Sequence, residues 1–498
     1  MLYHSTRNKS LSVPSAQAIA QGIAADGGLF VPESIPEMTA ADFNALKNLP
    51  YAERAARIFK LYLTDFTDEE LRECTKNAYE SGNFETPNVQ EITKLADGTM
   101  LLELWHGPTC AFKDMALQIL PHFLTKSIKK SGIEREVVIL TATSGDTGKA
   151  ALAGFQDVEG TKIMVFYPED GVSSMQKRQM QTQEGENVRV CAVKGNFDDC
   201  QNGVKAIFTD ADMQAALAAN NMQFSSANSI NWGRLVPQIV YYVSAYITML
   251  EQGILKDGER FNLTVPTGNF GNILAAWYAK QMGVPIQHLV CASNVNNVLT
   301  EFIETGVYDR NRTFHATVSP SMDILISSNL ERLLYHMTHE DDALIQEWFG
   351  KLKTDGKYEI PTEIAHRIQA EFSGSCWDDD ATKDMIGKVF SENGYLSDTH
   401  TAVGICAARD YQENASEKLP MLVASTANPY KFGNAVLEAI DSVPADIDEY
   451  AILDLLNEKS KMPIPAALAS LKTKPVRFSD SVEKSEMPAY VKAKLGIA

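Results

Sequence analysis

From Met100 onward the chain alternates short, almost wholly apolar runs with stretches of helical periodicity. The runs MLLELW (100–105), REVVIL (135–140), TKIMVFYP (161–168), NVRVCAV (187–193), FNLTVP (261–266), IQHLVCAS (286–293) and MLVAS (421–425) predict strands buried on both faces. Between them GKAALAGF, DDCQNGVKAIFTDADMQAALAA and GNILAAWYAKQM carry helical spacing. Strands alternating with helices predict an α/β fold with parallel sheets flanked by helices. Residues 1–90 read as a mainly helical N-terminal unit, through SAQAIAQGIAA and AADFNALKNL, with ADGGLFVPESIPEM as a turn-rich connection. The expected catalytic core is 91–440, in two subdomains, with an α-rich insertion near 323–393 (NLERLLYHM, DDALIQEWFGKLK, EIAHRIQAEF). Residues 441–498, rich in Lys, Pro and Asp, form a C-terminal extension.

Composition narrows the partners. At 498 residues, with 45% hydrophobic and 22% charged positions, the chain reads as a globular protein of several structural units. Asp and Glu number 64 against 45 Lys and Arg, a formal charge of −19, so the averaged surface repels nucleic acid and anionic membrane. The seven cysteines are scattered without a C-x-x-C pair, which argues against a disulfide framework or a metal site and for a reducing compartment. The N-terminus lacks the pattern of a secretory signal. The most apolar window, LVPQIVYYVSAYITML, contains Pro237, Gln238 and Ser244 and is short for a membrane span. A cytoplasmic protein is expected.

The candidate chemistry begins with HGPTCAFKDMALQ, residues 106–118, where Lys113 sits among Cys110, Ala111, Phe112, Met115, Ala116 and Leu117. A desolvated lysine loses part of its preference for the charged form, which frees its amine to attack carbonyls. A lysine that snorkels to water is the bland alternative.

Ligands in open α/β sheets bind beyond the carboxyl ends of strands, so three loops matter. In VPTGNFGNILAAW, Gly268 and Gly271 admit close backbone approach, and the helix start near Asn272 offers N–H groups to an anion. A P-loop would need Lys-Ser/Thr where the chain has Asn272-Ile273. A dinucleotide site wants an acidic residue about 20 positions on, and none occurs from Gly283 through Thr300. A single phosphate on a small cofactor passes both tests. In TATSGDTGKAALAGF, the hydroxyls of Thr143, Ser144 and Thr147 with the turn amides form a cradle for a carboxylate, whereas Asp146 suits a helix cap or a neutral or cationic partner. In MLVASTANPYKFGN, Thr426 places a hydroxyl where it can bond a ring nitrogen without charging it. Alone, the first turn is as readily a helix-capping turn without a ligand, the second reads better as plain N-capping, and the third is an ordinary turn threonine. Together with a reactive lysine they describe a pyridoxal phosphate site.

HGPTCAFKDMALQ, TATSGDTGKAA, NSINWGRLVPQ, VPTGNFGN and STANPYKF, in that order, resemble the threonine synthase family, and the similarity runs from AQAIAQGIAADGGLFVPE to about Asn434. The length and insertions resemble its longer, microbial and fungal branch. The resemblance implies a fold type II, tryptophan synthase β-like enzyme and a lyase of threonine biosynthesis with pyridoxal 5'-phosphate as cofactor. Lys113 would be the Schiff-base lysine, Gly268, Asn269, Phe270, Gly271 and Asn272 would hold the cofactor phosphate, and Thr426 would face the pyridine nitrogen. Thr143, Ser144, Gly145, Asp146 and Thr147 would form the substrate loop. Related fold type II enzymes carry an asparagine against the cofactor's ring oxygen at the position occupied here by Asp146. Asn228, Ser229 and Arg234 would bind the substrate's phosphate.

The implied reaction converts O-phospho-L-homoserine and water to L-threonine and phosphate by γ-elimination and β-addition of water, with no nucleic acid or membrane partner, in a monomer or small homo-oligomer. Two rivals stand beside it: a fold type II dehydratase or β-eliminating enzyme with the same lysine and phosphate turn, and a noncatalytic scaffold that keeps only the fold.

Overall fold

The uniformly apolar runs become the inner strands of two sheets. The computed structural model describes residues 1–132, 135–143, 145–169, 172–444 and 447–497. Chain order gives β1 (Leu2–Ser5), β2 (Asn8–Pro14), β3 (Phe30–Pro32), β4 (Glu91–Lys94), β5 (Met100–Glu103), β6 (Glu136–Ala142), β7 (Thr161–Pro168) and β8 (Val188–Lys194). It continues with β9 (Met222–Ser225), β10 (Phe261–Pro266), β11 (Ile286–Ser293), β12 (Val307–Asp309), β13 (Lys357–Glu359), β14 (Phe372–Cys376), β15 (Met421–Ser425) and β16 (Ser481–Glu483). One sheet has the order β14-β11-β10-β15-β5-β4 and is parallel except for the β4–β5 edge pair. The other, β16-β8-β7-β6-β9, is parallel throughout. Helices occupy the intervals, as parallel connections require. Two largely parallel sheets with helices between their strands are the α/β architecture expected from the sequence.

Between β9 and β10 runs helix Trp232–Glu251, buried over nearly its whole length and carrying Pro237 near its start. A helix that is apolar all round belongs in a core, which accounts for the most apolar window of the sequence. Among the described residues no helix is long and apolar enough to cross a membrane.

The structure departs from the sequence reading in four places. The N-terminal residues are not only helical: β1 pairs antiparallel with β2 and β3, and the turn-rich connection contains β3. These strands are short and partly exposed, so their alternation is weak. The long helical run 198–219 breaks at Asp210, whose carboxylate caps a second helix by accepting the Met213 N–H at 2.9 Å. The α-rich stretch 323–393 carries β14, which joins the central sheet beside β11 through a polar sequence, FSGSC. The C-terminal tail contributes β16 to the second sheet, parallel to β8.

The N-terminal sheet braces the ground beneath the catalytic loops. Arg7 grips Glu331 through two bonds of 2.9 and 2.7 Å, and Thr6 donates to the same carboxylate at 2.6 Å. Arg332 donates to the Phe30 carbonyl at 2.9 Å, and Asn231, the cap of helix Trp232–Glu251, reaches the Ile19 carbonyl at 3.0 Å.

Candidate active site

Lys113 is held by its backbone between two strand-end loops. The Phe112 N–H donates to the Thr426 carbonyl at 2.8 Å, the Asn428 N–H donates to the Cys110 carbonyl at 3.0 Å, and Ala111 bridges Ala427. Thr109 closes the turn by donating its N–H and hydroxyl to Asp114 at 2.8 and 2.7 Å. The loop after β5 is thereby fastened to the loop after β15, and Lys113 stands at the start of helix Asp114–Leu117. Its side chain is 13% exposed and turns inward, with Nζ 3.3 Å from Ser321 Oγ and 3.8 Å from Asp146 Oδ2. Burial is the largest influence on its pKa and lowers it; Asp146 opposes this, while the positive charges of Lys431 and Arg234 add to the lowering. The net direction is downward, toward a neutral amine.

The glycine turn lies against the same Ser321. A Cβ on Gly268 would stand 2.6 Å from the Ser321 carbonyl oxygen, so only glycine lets these backbones meet. Ser327 donates to the Gly268 carbonyl at 2.8 Å and the Asn329 N–H donates to the Asn269 carbonyl at 3.1 Å. Phe270 adopts left-handed backbone, φ 62°, and helix Gly271–Gln281 starts without a side-chain cap. Left-handed backbone in a bulky residue costs about 1–3 kcal/mol. Asn272 spends its oxygen on the hydroxyls of Tyr241 (2.7 Å) and Tyr242, while its buried Nδ2 has no partner among the described residues. Asn269 is exposed.

The loop after β6 is partly turned on itself. Thr143 accepts the N–H groups of Gly145 (3.0 Å) and Gly148 (2.9 Å) and donates to the Gly145 carbonyl at 3.1 Å, so its hydroxyl builds the turn. Ser144 lies outside the described residues. Gly145 has φ 147°, and a Cβ there would stand 2.5 Å from the Gln176 side chain. Thr147 is half-buried, and its side chain bonds no described residue. Asp146 has cationic partners: Oδ1 is 2.7 Å from Lys431 Nζ and accepts from Gln176 Nε2 at 2.9 Å, and Oδ2 faces Lys113. Burial would raise its pKa, but Lys431 and then Lys113 overcome that and hold the carboxyl well below the usual carboxylate range.

Thr426 is buried, donates its N–H to Thr401 Oγ1 at 3.2 Å, and makes no side-chain hydrogen bond to a described residue. In NSINWGR, Asn228 is exposed and Ser229 half-buried, with its carbonyl accepting from Asn329 Nδ2 at 3.3 Å. Arg234 is buried and meets no carboxylate among the described residues. It donates through Nη1 to the Ala227 carbonyl, and its Nε has no partner. Desolvation pushes it down to about 10. Lys113, Asp146, Thr426, Arg234 and the glycine turn therefore converge, whereas Thr143 serves the turn and Asn228 and Asn269 stand toward solvent.

Sequence reasoning missed Lys431, Gln176, Ser321 and His400. Lys431 lies in STANPYKF, where it looks like one more turn lysine, yet it is fully buried and also donates to the Thr109 carbonyl at 2.8 Å. Ser321 sits in an aperiodic stretch, HATVSPSMD, and is fixed by its N–H donating to His400 Nε2 at 3.0 Å. His400 Nδ1 in turn lies 3.0 Å from Asp398. For Asp146 the sequence left open a helix cap or a neutral or cationic partner, and the structure gives it Lys431 and Gln176.

Family models for the threonine synthase N terminus and the threonine synthase C-terminal region match residues 2–79 and 401–491, and a pyridoxal-phosphate dependent enzyme model matches residues 86–346. Threonine synthase of Saccharomyces cerevisiae is 37% identical over 465 residues, 88% of this chain and 89% of that protein. Human threonine synthase-like 1 is 38% identical over 458 residues, which cover 90% of this chain, and the chain spans only 61% of that relative's length. The crystal structure of pyridoxal-phosphate-bound threonine synthase from Brucella melitensis superposes with a TM-score of 0.88 at 35% identity, covering 99% of both chains. A buried lysine beside a glycine turn, on this fold and with these relatives, leads to one conclusion: the chain belongs to the threonine synthase family of pyridoxal-phosphate dependent enzymes.

Proposed function

We propose that the chain binds pyridoxal 5'-phosphate at Lys113 and converts O-phospho-L-homoserine and water to L-threonine and phosphate. The observation that carries this reading is one buried site holding a desolvated lysine and two separate groups of donors suited to anions. One is the uncapped start of helix Gly271–Gln281, and the other is the Arg234 guanidinium with its unpartnered Nε. Two phosphates, one on the cofactor and one on the substrate, meet that requirement. A cofactor with one phosphate and a substrate without any would leave a buried cation open.

The residues fit the cofactor. Asn272 Nδ2 is buried without a partner at the glycine turn, the helix N–H groups there are free of a side-chain cap, and both Lys113 and Gly268 border Ser321. When bound, the cofactor supplies an electrophilic aldehyde for the lysine and a conjugated ring that draws electrons from the substrate's carbons.

The protein's own part follows from its charges. Residues 268–272 would hold the cofactor phosphate on backbone N–H groups. Thr426, neutral and free at its hydroxyl, would bond the ring nitrogen without protonating it. The lowered pKa of Lys113 favours an amine able to take protons from the substrate's Cα and Cβ and return them at Cγ and Cα, as phosphate leaves Cγ with its electron pair and water adds its hydroxyl at Cβ, with Asp146 fixing its direction. Arg234 would pair two oxygens of the substrate's phosphate through its planar fork and steady the charge that grows as that group leaves. Plain homoserine would leave this guanidinium unpaired in a buried site, so it should be rejected.

Product analysis tests the reading. Protein reconstituted with pyridoxal phosphate and given O-phospho-L-homoserine should release phosphate and threonine in equal amounts. Phosphate accompanied by a keto acid and ammonia would assign an eliminating enzyme instead, and no phosphate would overturn the proposal.

A further inference from the structure

Asp146 is a buried carboxylate between two ammonium groups, and its two oxygens are used differently. Oδ1 is clamped by the Lys431 ammonium at 2.7 Å and by Gln176 at 2.9 Å, so Oδ2 alone is presented to Lys113, at 3.8 Å. The clamp is rigid. Lys431 belongs to the 3-10 turn Pro429–Phe432 that follows β15, with Asn428 capping the turn at 3.1 Å, and its ammonium is tied down by the Thr109 carbonyl. Thr426 comes from the same loop, and Phe112 is bonded to it, so Lys431 and Lys113 are carried on fastened backbone.

The charge balance points further. Once the Lys113 amine is neutral or engaged with a carbonyl group, a lone Asp146 would be a buried charge without a counter-ion, which is strongly unfavourable. Lys431 supplies the counter-ion permanently. The other charged and titratable groups around this pair are Asp114, occupied by Thr109; Lys149, bonded to Gln183; Lys474, which acts on Lys149; Cys110; and Arg234. None of them touches Asp146 among the described residues.

We propose that Lys431 is a positioning residue for the reaction: it keeps Asp146 ionised and oriented, with Oδ2 toward Lys113, through every charge state of that lysine. The proposal rests on Lys113 being the cofactor-bearing residue. It predicts that the pair acts through its charge sum at Lys113 and not through folding alone.

The test is a double-mutant cycle read from the pH midpoint of the visible absorbance of the pyridoxal-phosphate-loaded enzyme, with thermal melting of the same samples. Lys431→Met leaves a negative charge uncompensated beside Lys113 and should raise the midpoint by about 1 pH unit. Asp146→Asn leaves the Lys431 charge unbalanced and should lower it by a similar amount. The double variant Asp146→Asn/Lys431→Met restores a neutral pair and should return close to the parent. If a single variant fails to retain the cofactor, recovery of the absorbance in the double variant supports the charge-balance role. Single variants that melt lower yet keep the parent midpoint would make the pair merely structural and overturn the proposal. So would a double variant that stays shifted, or one that melts like the parent without binding the cofactor. Absence of the absorbance in the parent would instead defeat the assignment of Lys113.

Discussion

Two arginines, both buried on the same flank of the site, differ in what surrounds their guanidinium groups. Arg332 donates to the Phe30 carbonyl at 2.9 Å, the Ile230 carbonyl at 2.6 Å and the side-chain oxygen of Asn329, so each of its nitrogens is used. Arg234 has one carbonyl, Ala227, and an orphaned Nε. Desolvation lowers both to about 10, and neither is ion-paired to a described residue. Burial alone thus does not distinguish the two; the hydrogen bonds made by their donors do, and they motivate the proposed role of Arg234. A saturated guanidinium contributes its hydrogen bonds to the fold, whereas one with spare donors is suited to the anion proposed for it.

The comparison can be broken by exchanging each arginine for methionine. Arg234→Met should reduce kcat/KM for O-phospho-L-homoserine by about 10²–10³-fold, as loss of a transition-state charge contact does, while leaving the melting temperature unchanged or raised. Arg332→Met should do the reverse. It strands three acceptors, at about 1 kcal/mol or more each, so the chain should lose about 3 kcal/mol of stability in a denaturant titration, with a smaller effect on the activity of the folded fraction. A loss of activity without a loss of stability in the Arg332 variant would undo the distinction.

Two smaller effects sharpen it. Gly268→Ala forces a Cβ to within 2.6 Å of the Ser321 carbonyl, and separating these backbones should cost about 1–3 kcal/mol. The cost should appear as weaker retention of pyridoxal phosphate on dialysis, because the displaced atoms belong to the turn expected to hold it. Asn228→Ala, at an exposed position on the same NSINWGR segment as Arg234, should change stability by no more than about 0.5 kcal/mol and kcat/KM by no more than about 2-fold. A large effect there would mean that the segment meets the substrate through Asn228.

Much of this was legible in the chain, for physical reasons. Strands buried on both faces must be continuously apolar, and TKIMVFYP, FNLTVP, IQHLVCAS and MLVAS match their strands from end to end. Short or half-exposed strands such as β1, β2 and β14 lack that signal: β1 has only four residues, and β2 and β14 are partly exposed edge strands whose polar positions can face solvent. In the site, Gly268 and its turn were visible because glycine admits the close backbone approach seen against Ser321. Lys431, Gln176 and Ser321 were not, since their importance lies in a burial and a set of contacts made across more than 200 residues for Lys113–Ser321 and almost 300 for Asp146–Lys431. Ion pairs formed by folding leave no periodicity behind them.

The chain buries more than one lysine near the cleft, and this makes the central assignment directly measurable. Lys431 is committed to Asp146 and Thr109, Lys149 is bonded to Gln183, and Lys113 alone combines partial exposure with a place beside the glycine turn. Borohydride reduction of the pyridoxal-phosphate-loaded protein, followed by digestion and mass spectrometry, should place a single pyridoxyl group on the peptide containing Lys113. A label on Lys431 or Lys149, or no stable label at all, would contradict the account.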